Sequence, residues 1–190
     1  MDDRGMVAVT VAGISRRLPV IEVAPGIRIA AFVMLGDVEL VAACARELAA
    51  KLRGRLGSGA GEVVLVAPEA KAVPLVHGMA SELGHARCVV CRKSLKTYMV
   101  GGIEVPVASI TTPGAQKLVI SGSDAAWLAG RDVVLVDDVV STGGTLRAME
   151  TLMVLCGARV VARAAAMLEG EADETFPGVL ALGQLPVWRG

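Results

Sequence analysis

Apolar residues recur along this chain in two registers, and the registers alternate. Val38, Val41, Ala42, Ala45, Leu48, Ala49 and Leu52 fall at helical spacing and predict an amphipathic helix, with Asp37 placed to cap it. Beyond it come a strand at Val63 to Ala67, a turn at Pro68 to Lys71, a helix to about Leu83 and a strand at Arg87 to Cys91. After a long intervening segment the pattern resumes with a strand at Val133 to Val136, a loop at Asp137 to Gly144, a helix at Thr145 to Cys156 and a strand at Arg159 to Leu168. Strands with no polar face, separated by helices, predict an α/β fold around a parallel sheet with right-handed crossovers.

The flanking regions follow other rules. Residues 1–36 suggest a short strand region, a turn around Pro25 and Gly26, and an apolar run from Ile27 to Leu35, with no chemical signature. The glycines of Gly54 to Gly61 precede a strand instead of following one, so they read as a linker and not as a dinucleotide loop. Residues 92–120 mix Lys, Gly, Pro and Thr with alternating pieces such as Ile103 to Val107, which predicts a mobile hairpin of the kind that serves as a lid.

Composition narrows the class. The chain has 190 residues, 54% of them hydrophobic and 20% charged, which excludes disorder and suits one domain. Aromatics are only 3%, so the core must be built from Val, Ala and Leu. Lys plus Arg and Asp plus Glu both total 19, which gives no steering toward nucleic acid or an anionic membrane. The N-terminus carries acids before its apolar run, and no apolar run approaches the roughly 18 residues of a membrane span, so a soluble cytoplasmic protein is expected. Cys44, Cys88, Cys91 and Cys156 are too scattered for a disulfide framework. Cys88 and Cys91, three apart on a strand, point to opposite faces and read as buried small hydrophobes.

The chemistry concentrates in Val133 to Thr145, VVLVDDVVSTGGT. An apolar strand would bring the loop to the carboxyl edge of a parallel sheet. Gly143 and Gly144 let successive amides turn toward one anion, the helix start adds partial positive charge, and Ser141, Thr142 and Thr145 add hydroxyl donors. Asp137 and Asp138 would face the crevice as acceptors suited to a vicinal diol. A phosphate cup beside a diol acceptor describes a site for ribose 5-phosphate. A plain strand end does not justify two buried carboxylates. A Walker A loop is absent, and bare metal chelation leaves the glycine-hydroxyl loop unexplained.

With its hydrophobic strand, two acids, two further residues and hydroxyl- and glycine-rich turn, the stretch resembles the signature for 5-phosphoribosyl 1-pyrophosphate (PRPP) in type I phosphoribosyltransferases. The resemblance implies that Asp137 and Asp138 hold the ribose hydroxyls, and that Val140, Ser141, Thr142, Gly143, Gly144 and Thr145 hold the 5-phosphate. A weaker similarity to the adenine-type branch runs from about Leu18 to Leu168. It implies a central, mainly parallel twisted sheet flanked by helices, a small N-terminal hood over about residues 1–36, and a flexible catalytic hairpin loop over residues 92–120. It further implies a homodimer, Mg²⁺ carried by PRPP, and transfer of the ribosyl phosphate to a purine in purine salvage. Adenine is the first choice, with hypoxanthine, guanine or xanthine next.

The rest of the site is less distinctive. The turn through Glu69, Ala70 and Lys71 reads equally as a helix start with an acid in its first turn or as an anion grip; the resemblance assigns it to pyrophosphate, with Lys71 in place of an arginine. Arg92, Lys93 and Lys96 would be a solvated face on composition alone, but beside the crevice they would neutralise the departing pyrophosphate. Where adenine-type relatives carry Glu-Tyr-Gly this chain has Thr112-Pro113-Gly114, and Ile29-Ala30-Ala31 replaces Phe-Arg-Asp. The general acid/base is therefore unassigned. Glu104 and Glu169 are available carboxylates of a type usually found at the surface; His77 and His85 read as structural, and Trp127 and Trp188 as packing residues. A second reading is a PRPP-sensing regulator without turnover, consistent with Thr112 standing where a carboxylate is expected.

Overall fold

In a computed structural model, which describes residues 5–107 and 116–190, the alternating pattern resolves into a central five-stranded sheet. Its strands, all parallel, run in the order β10 (Leu180–Leu185), β9 (Arg159–Glu169), β8 (Asp132–Val140), β4 (Val64–Pro68) and β5 (Val89–Cys91). Because side chains alternate across a strand, β8 and β4 feed two cores. Leu65, Ala67, Val134 and Val136 pack against α1 (Val38–Leu56) and α2 (Val73–Leu83). Val64, Val66, Val133 and Leu135 pack against α3 (Gly122–Leu128) and α4 (Gly144–Leu155). This double burial is why those strands carry no polar face.

A second, antiparallel sheet has the order β1 (Met6–Val11), β2 (Ile14–Ala24), β3 (Ile27–Ala30) and β11 (Val187–Arg189). The turn at Pro25 and Gly26 lies where the sequence places it, but the chain also reverses at Ala12–Gly13, and its last strand closes the sheet by pairing with β3. Arg16 of β2 ties this sheet to the core. Its guanidinium donates to Asp37 Oδ2 (2.7 Å), Asp37 Oδ1 (3.1 Å) and Glu39 Oε2 (2.7 Å), while Asp37 Oδ1 also accepts from Leu40 N (3.1 Å) as the α1 cap. The hydrogen bonds from Arg16 hold the Asp37 carboxyl below its ordinary range. Asp37→Ala is expected to destabilise the fold by about 1–2 kcal/mol, the usual loss for an N-cap. Asp37 has a depressed native value, so its contribution is present above the unfolded value near 3.8 and is lost as pH falls through the native one. Thermal melts of wild type and variant should therefore differ at neutral pH and converge in acid.

Several boundaries differ from the sequence expectation. The strand expected to end at Val136 continues to Val140, because its ladder with β9 persists to the pair Val140 and Leu168. Asp137 and Asp138 thus lie within a strand instead of a loop, and the loop contracts to residues 141–143 ahead of α4. Pro68 ends β4, and the following turn occupies residues 69–72. Glu169, expected as a surface acid beyond the last strand, is the buried final residue of β9, with two more strands after it. Helix α3 was not foreseen; Ser121 caps it by accepting from Asp124 N. Strands β6 (Ile103–Val107) and β7 (Gln116–Ile120) form the expected hairpin, while Thr112, Pro113 and Gly114 lie outside the described residues.

Other residues keep structural roles. Cys44, Cys91 and Cys156 are buried and Cys88 half-buried, all free; burial pushes the Cys91 thiol up to about 12. His85 Nε2 lies 3.0 Å from the Ala60 carbonyl, and Trp127 packs under the guanidinium groups of Arg87 and Arg131. No described helix is long and apolar enough to cross a membrane.

Candidate functional site

Parallel strands all end at one edge, so the turns after β4 and β8 and the end of β9 converge there. Asp137 and Asp138, only 6% and 4% exposed, occupy this edge in the middle strand. Asp138 N donates to Asp137 Oδ1 at 2.9 Å. Burial, and then the neighbouring charge of Asp138, push the Asp137 carboxyl well above its ordinary range. Across the crevice Lys71 Nζ lies 2.9 Å from Asp138 Oδ2, without the alignment of a hydrogen bond. The lysine that the sequence reading assigned to pyrophosphate is thus paired with one of the two acids.

The loop after β8 turns sharply. Gly143 sits in the left-handed region (φ 72°, ψ 12°) as the residue before α4, and no side chain caps the helix amides. Among the described residues no hydrogen bond engages the hydroxyls of Ser141, Thr142 or Thr145, so amides and hydroxyls present donors together. Two side chains hold the loop in shape. Arg147 Nη2 donates to the Thr142 carbonyl at 2.6 Å, and its guanidinium lies 4.8 Å from the centre of the Phe176 ring. That ring packs directly on Gly143. Neither residue was singled out in the sequence, because nothing local links position 176 to position 143.

The turn after β4 is held by its neighbours. Glu69 N donates to the Cys91 carbonyl (2.8 Å), Glu69 Oε1 accepts from Lys93 N (2.5 Å), and Glu69 Oε2 lies 2.6 Å from Arg92 Nε. The Glu69–Ala70 peptide is cis. Arg92 exchanges two 2.7 Å backbone hydrogen bonds with Val119, which joins the hairpin to the main sheet, and its Nη1 donates to the Tyr98 hydroxyl (3.3 Å).

A cavity of about 160 Å³ lies between these parts, lined by Glu69, Ala70, Lys71, Lys93, Asp137, Asp138 and Thr145. Val107, Gln116, Lys117 and Leu118 of the hairpin close it from the other side. Glu69, Ala70, Lys71 and Lys93 are thus brought together with the two aspartates, whereas Lys96 is exposed and stands outside. Gln116 and Lys117 escaped the sequence reading, since a two-stranded hairpin does not reveal which of its faces meets the crevice. Glu104, one of the carboxylates available for acid/base chemistry, is exposed and paired with Lys117 at 2.7 Å.

Among the described residues no group of three or more His, Cys, Asp or Glu side chains is arranged to hold a metal ion alone. The two aspartates still fit a hard cation that brings most of its own ligands. They offer oxygen donors, Asp138 Oδ2 has no hydrogen bond, and a cationic group already stands beside it.

Known proteins resemble this chain in sequence and in fold. The adenine phosphoribosyltransferase of Mycolicibacterium smegmatis is 33% identical over 136 residues, 72% of this chain and 57% of that protein. The hypoxanthine/guanine phosphoribosyltransferase of Methanocaldococcus jannaschii is 33% identical over 115 residues, 60% of this chain and 58% of that one. The chain therefore spans a little over half the length of these curated relatives. The crystal structure of adenine phosphoribosyltransferase from Thermoanaerobacter pseudethanolicus aligns with a TM-score of 0.65 at 22% identity, covering 88% of this chain and 95% of that one. The Saccharomyces cerevisiae enzyme, complexed with an imino-altritol bisphosphate and adenine, gives 0.67 at 16% identity, covering 87% and 93%. These likenesses establish the type I phosphoribosyltransferase fold. A sequence model of the phosphoribosyl transferase domain matches residues 34–177, a span that holds the turn after β4, the acidic strand end, the glycine loop and the ring that packs on it, and by that match the chain belongs to the phosphoribosyl transferase domain family.

Proposed function

We propose that this protein transfers the 5-phosphoribosyl group of PRPP to a purine, with adenine preferred, giving a nucleoside monophosphate and pyrophosphate in purine salvage. The observation that carries this reading is the buried pair Asp137 and Asp138, set between an uncapped helix N-terminus and the cations Lys71 and Lys93. In this reading the aspartates take the ribose diol, and Val140 to Thr145 take the 5-phosphate through amides and hydroxyls. Glu69, Ala70 and Lys71 receive the pyrophosphate, and Arg92 and Lys93 add positive charge to it. Lys96 would join them only after the hairpin moves.

The residues at the crevice have two tasks. They orient the anomeric carbon, and they stabilise the negative charge that leaves it. Asp138, and Asp137 beside it, would hold Mg²⁺ through the ribose hydroxyls of PRPP. When bound, Mg²⁺ supplies positive charge that neutralises the departing pyrophosphate. Lys71 must then exchange Asp138 for the pyrophosphate, so the ion pair holds the place of a cation until substrate arrives. The present cavity is smaller than the roughly 300–1,000 Å³ of ordinary ligand sites, so residues 92–120 act as the catalytic loop that must lift and reclose. In the same reading the chain is a single cytoplasmic domain that works as a homodimer, and residues 1–36 form the hood over the base.

The test is pyrophosphate release from PRPP and Mg²⁺ with a panel of purines and pyrimidines. Release with adenine above all others is expected. Release with a pyrimidine alone would overturn the purine assignment, and PRPP binding without release for any base would identify a PRPP sensor.

A further inference from the structure

We infer that Lys117 binds the pyrophosphate of PRPP, and that Glu104 holds this lysine in the free protein and gives it up when the substrate enters. The inference rests on the activity proposed above and adds to it a residue of the second hairpin strand.

Strand pairing sets the face that Lys117 occupies. Arg92 pairs with Val119, and residues directly opposite in antiparallel strands share a face of the sheet. Lys117 stands two residues before Val119 on β7 and so lies on that same face, as does Glu104, the β6 partner of Val119. From this face Arg92 already reaches the turn after β4, with its Nε 2.6 Å from Glu69 Oε2. Lys117 itself lines the cavity of about 160 Å³ together with Glu69, Ala70, Lys71 and Lys93. The hairpin thus brings a further cation to the turn that is proposed to receive pyrophosphate.

The partner of each cation decides how easily it moves. Lys71 is held by Asp138 and Arg92 by Glu69, and both of these acids line the cavity. Moving either cation leaves a shielded carboxylate that needs another positive charge. Lys117 Nζ lies 2.7 Å from Glu104 Oε2, but Glu104 stands outside the cavity lining and its side chain is 53% exposed. Water takes the place of the lysine there, so an exposed pair of this kind parts at little cost. The ligand also needs the charge. The lining holds the acids Glu69, Asp137 and Asp138 against the lysines Lys71, Lys93 and Lys117. Without Lys117 the acids outnumber the lysines, and an entering pyrophosphate adds to the excess.

The experiment titrates wild type, Lys117→Gln and Glu104→Gln with PRPP and with ribose 5-phosphate, each with Mg²⁺, by calorimetry. Both substitutions remove the same exposed ion pair, so both variants should fold, and a pair that only braced the hairpin would shift them alike. The expected shifts are opposite. Lys117→Gln should weaken PRPP binding about tenfold, the loss of one hydrogen bond between charged groups. Glu104→Gln should tighten it about two- to fivefold, because the exposed pair no longer has to part. Ribose 5-phosphate, which lacks the pyrophosphate, should bind all three proteins alike. PRPP shifts of the same sign, an unchanged PRPP affinity in either variant, or a ribose 5-phosphate affinity that moves with that of PRPP would overturn the assignment. A wild type that binds no PRPP would remove the proposed activity as well, whereas PRPP binding that ignores both substitutions removes the assignment alone.

Discussion

Gly143→Ala is expected to lower PRPP affinity by at least about 100-fold and to reduce Tm by roughly 6–12 °C. Two effects combine. The residue holds φ at 72°, where an alanine costs about 1 kcal/mol more than glycine. An added Cβ would also lie 1.7 Å from Phe176 Cε2 and 2.2 Å from Cζ, an overlap that only movement of the ring or the loop can relieve, at about 2 kcal/mol. The sum of about 3 kcal/mol sets the Tm estimate, at about 2–4 °C per kcal/mol in a chain of this size. The larger functional effect follows from the ring's other contacts. Phe176 carries the Arg147 guanidinium, which holds the Thr142 carbonyl, so displacing the ring loosens the loop whose amides are proposed to take the 5-phosphate. Gly130→Ala serves as the control, since Gly130 has φ 74° but nothing within 4 Å of the added Cβ. It should show the conformational cost with PRPP affinity intact. Adding Phe176→Leu to Gly143→Ala should recover part of the affinity, because it removes the overlap and leaves the φ cost. Calorimetry and thermal melts of the four proteins check the scheme, and equal PRPP affinities for Gly143→Ala and Gly130→Ala would refute it.

The acidic strand end and the glycine-hydroxyl loop after it are written locally in the sequence, and this is why their place at the start of α4 was legible. An apolar run, two acids and a glycine-hydroxyl turn each impose geometry within a few residues of themselves. The helix at Val38–Leu56 was legible for the same reason, since its period and its cap at Asp37 lie within one segment. What escaped depends on contacts between distant positions. The length of β8 depends on β9, because pairing through Leu168 keeps Asp137 and Asp138 in a strand. The burial of Glu169 depends on β10 and β11, which were not foreseen because they are short and lie at the end of the chain. The partner of Lys71 is Asp138, 67 residues away, and no rule of spacing joins them. The same division separates ribose phosphate from base. In the proposed reading, amides and glycines of one segment take the first, whereas no single segment carries a signal for the second.

Asp137→Asn is expected to stabilise the free protein while weakening PRPP binding at least tenfold, the loss for one hydrogen bond from a ribose hydroxyl to a charged acceptor. The native carboxyl is pushed well above its ordinary value near 3.8, first by burial and then by the adjacent Asp138. Between about pH 4 and that raised value the native state keeps a proton that the unfolded chain has released, so unfolding becomes easier as pH rises through this window. Asparagine has no such titration, and its Oδ1 can still accept the hydrogen bond from Asp138 N. The variant should therefore match wild type below about pH 4 and exceed its Tm progressively as pH rises above that. The sign is opposite to that of Asp37, whose depressed value makes it stabilising at neutral pH and whose removal lowers Tm there. Melts of wild type, Asp37→Ala and Asp137→Asn across pH 3.5 to 8 separate the two cases. A Tm for Asp137→Asn that is equal to or below wild type at pH 8 would mean that Lys71 already compensates the buried charge in the free protein. A gain in stability with a loss of PRPP affinity would identify Asp137 as a residue kept at the expense of the fold, because the ribose diol requires a charged acceptor there.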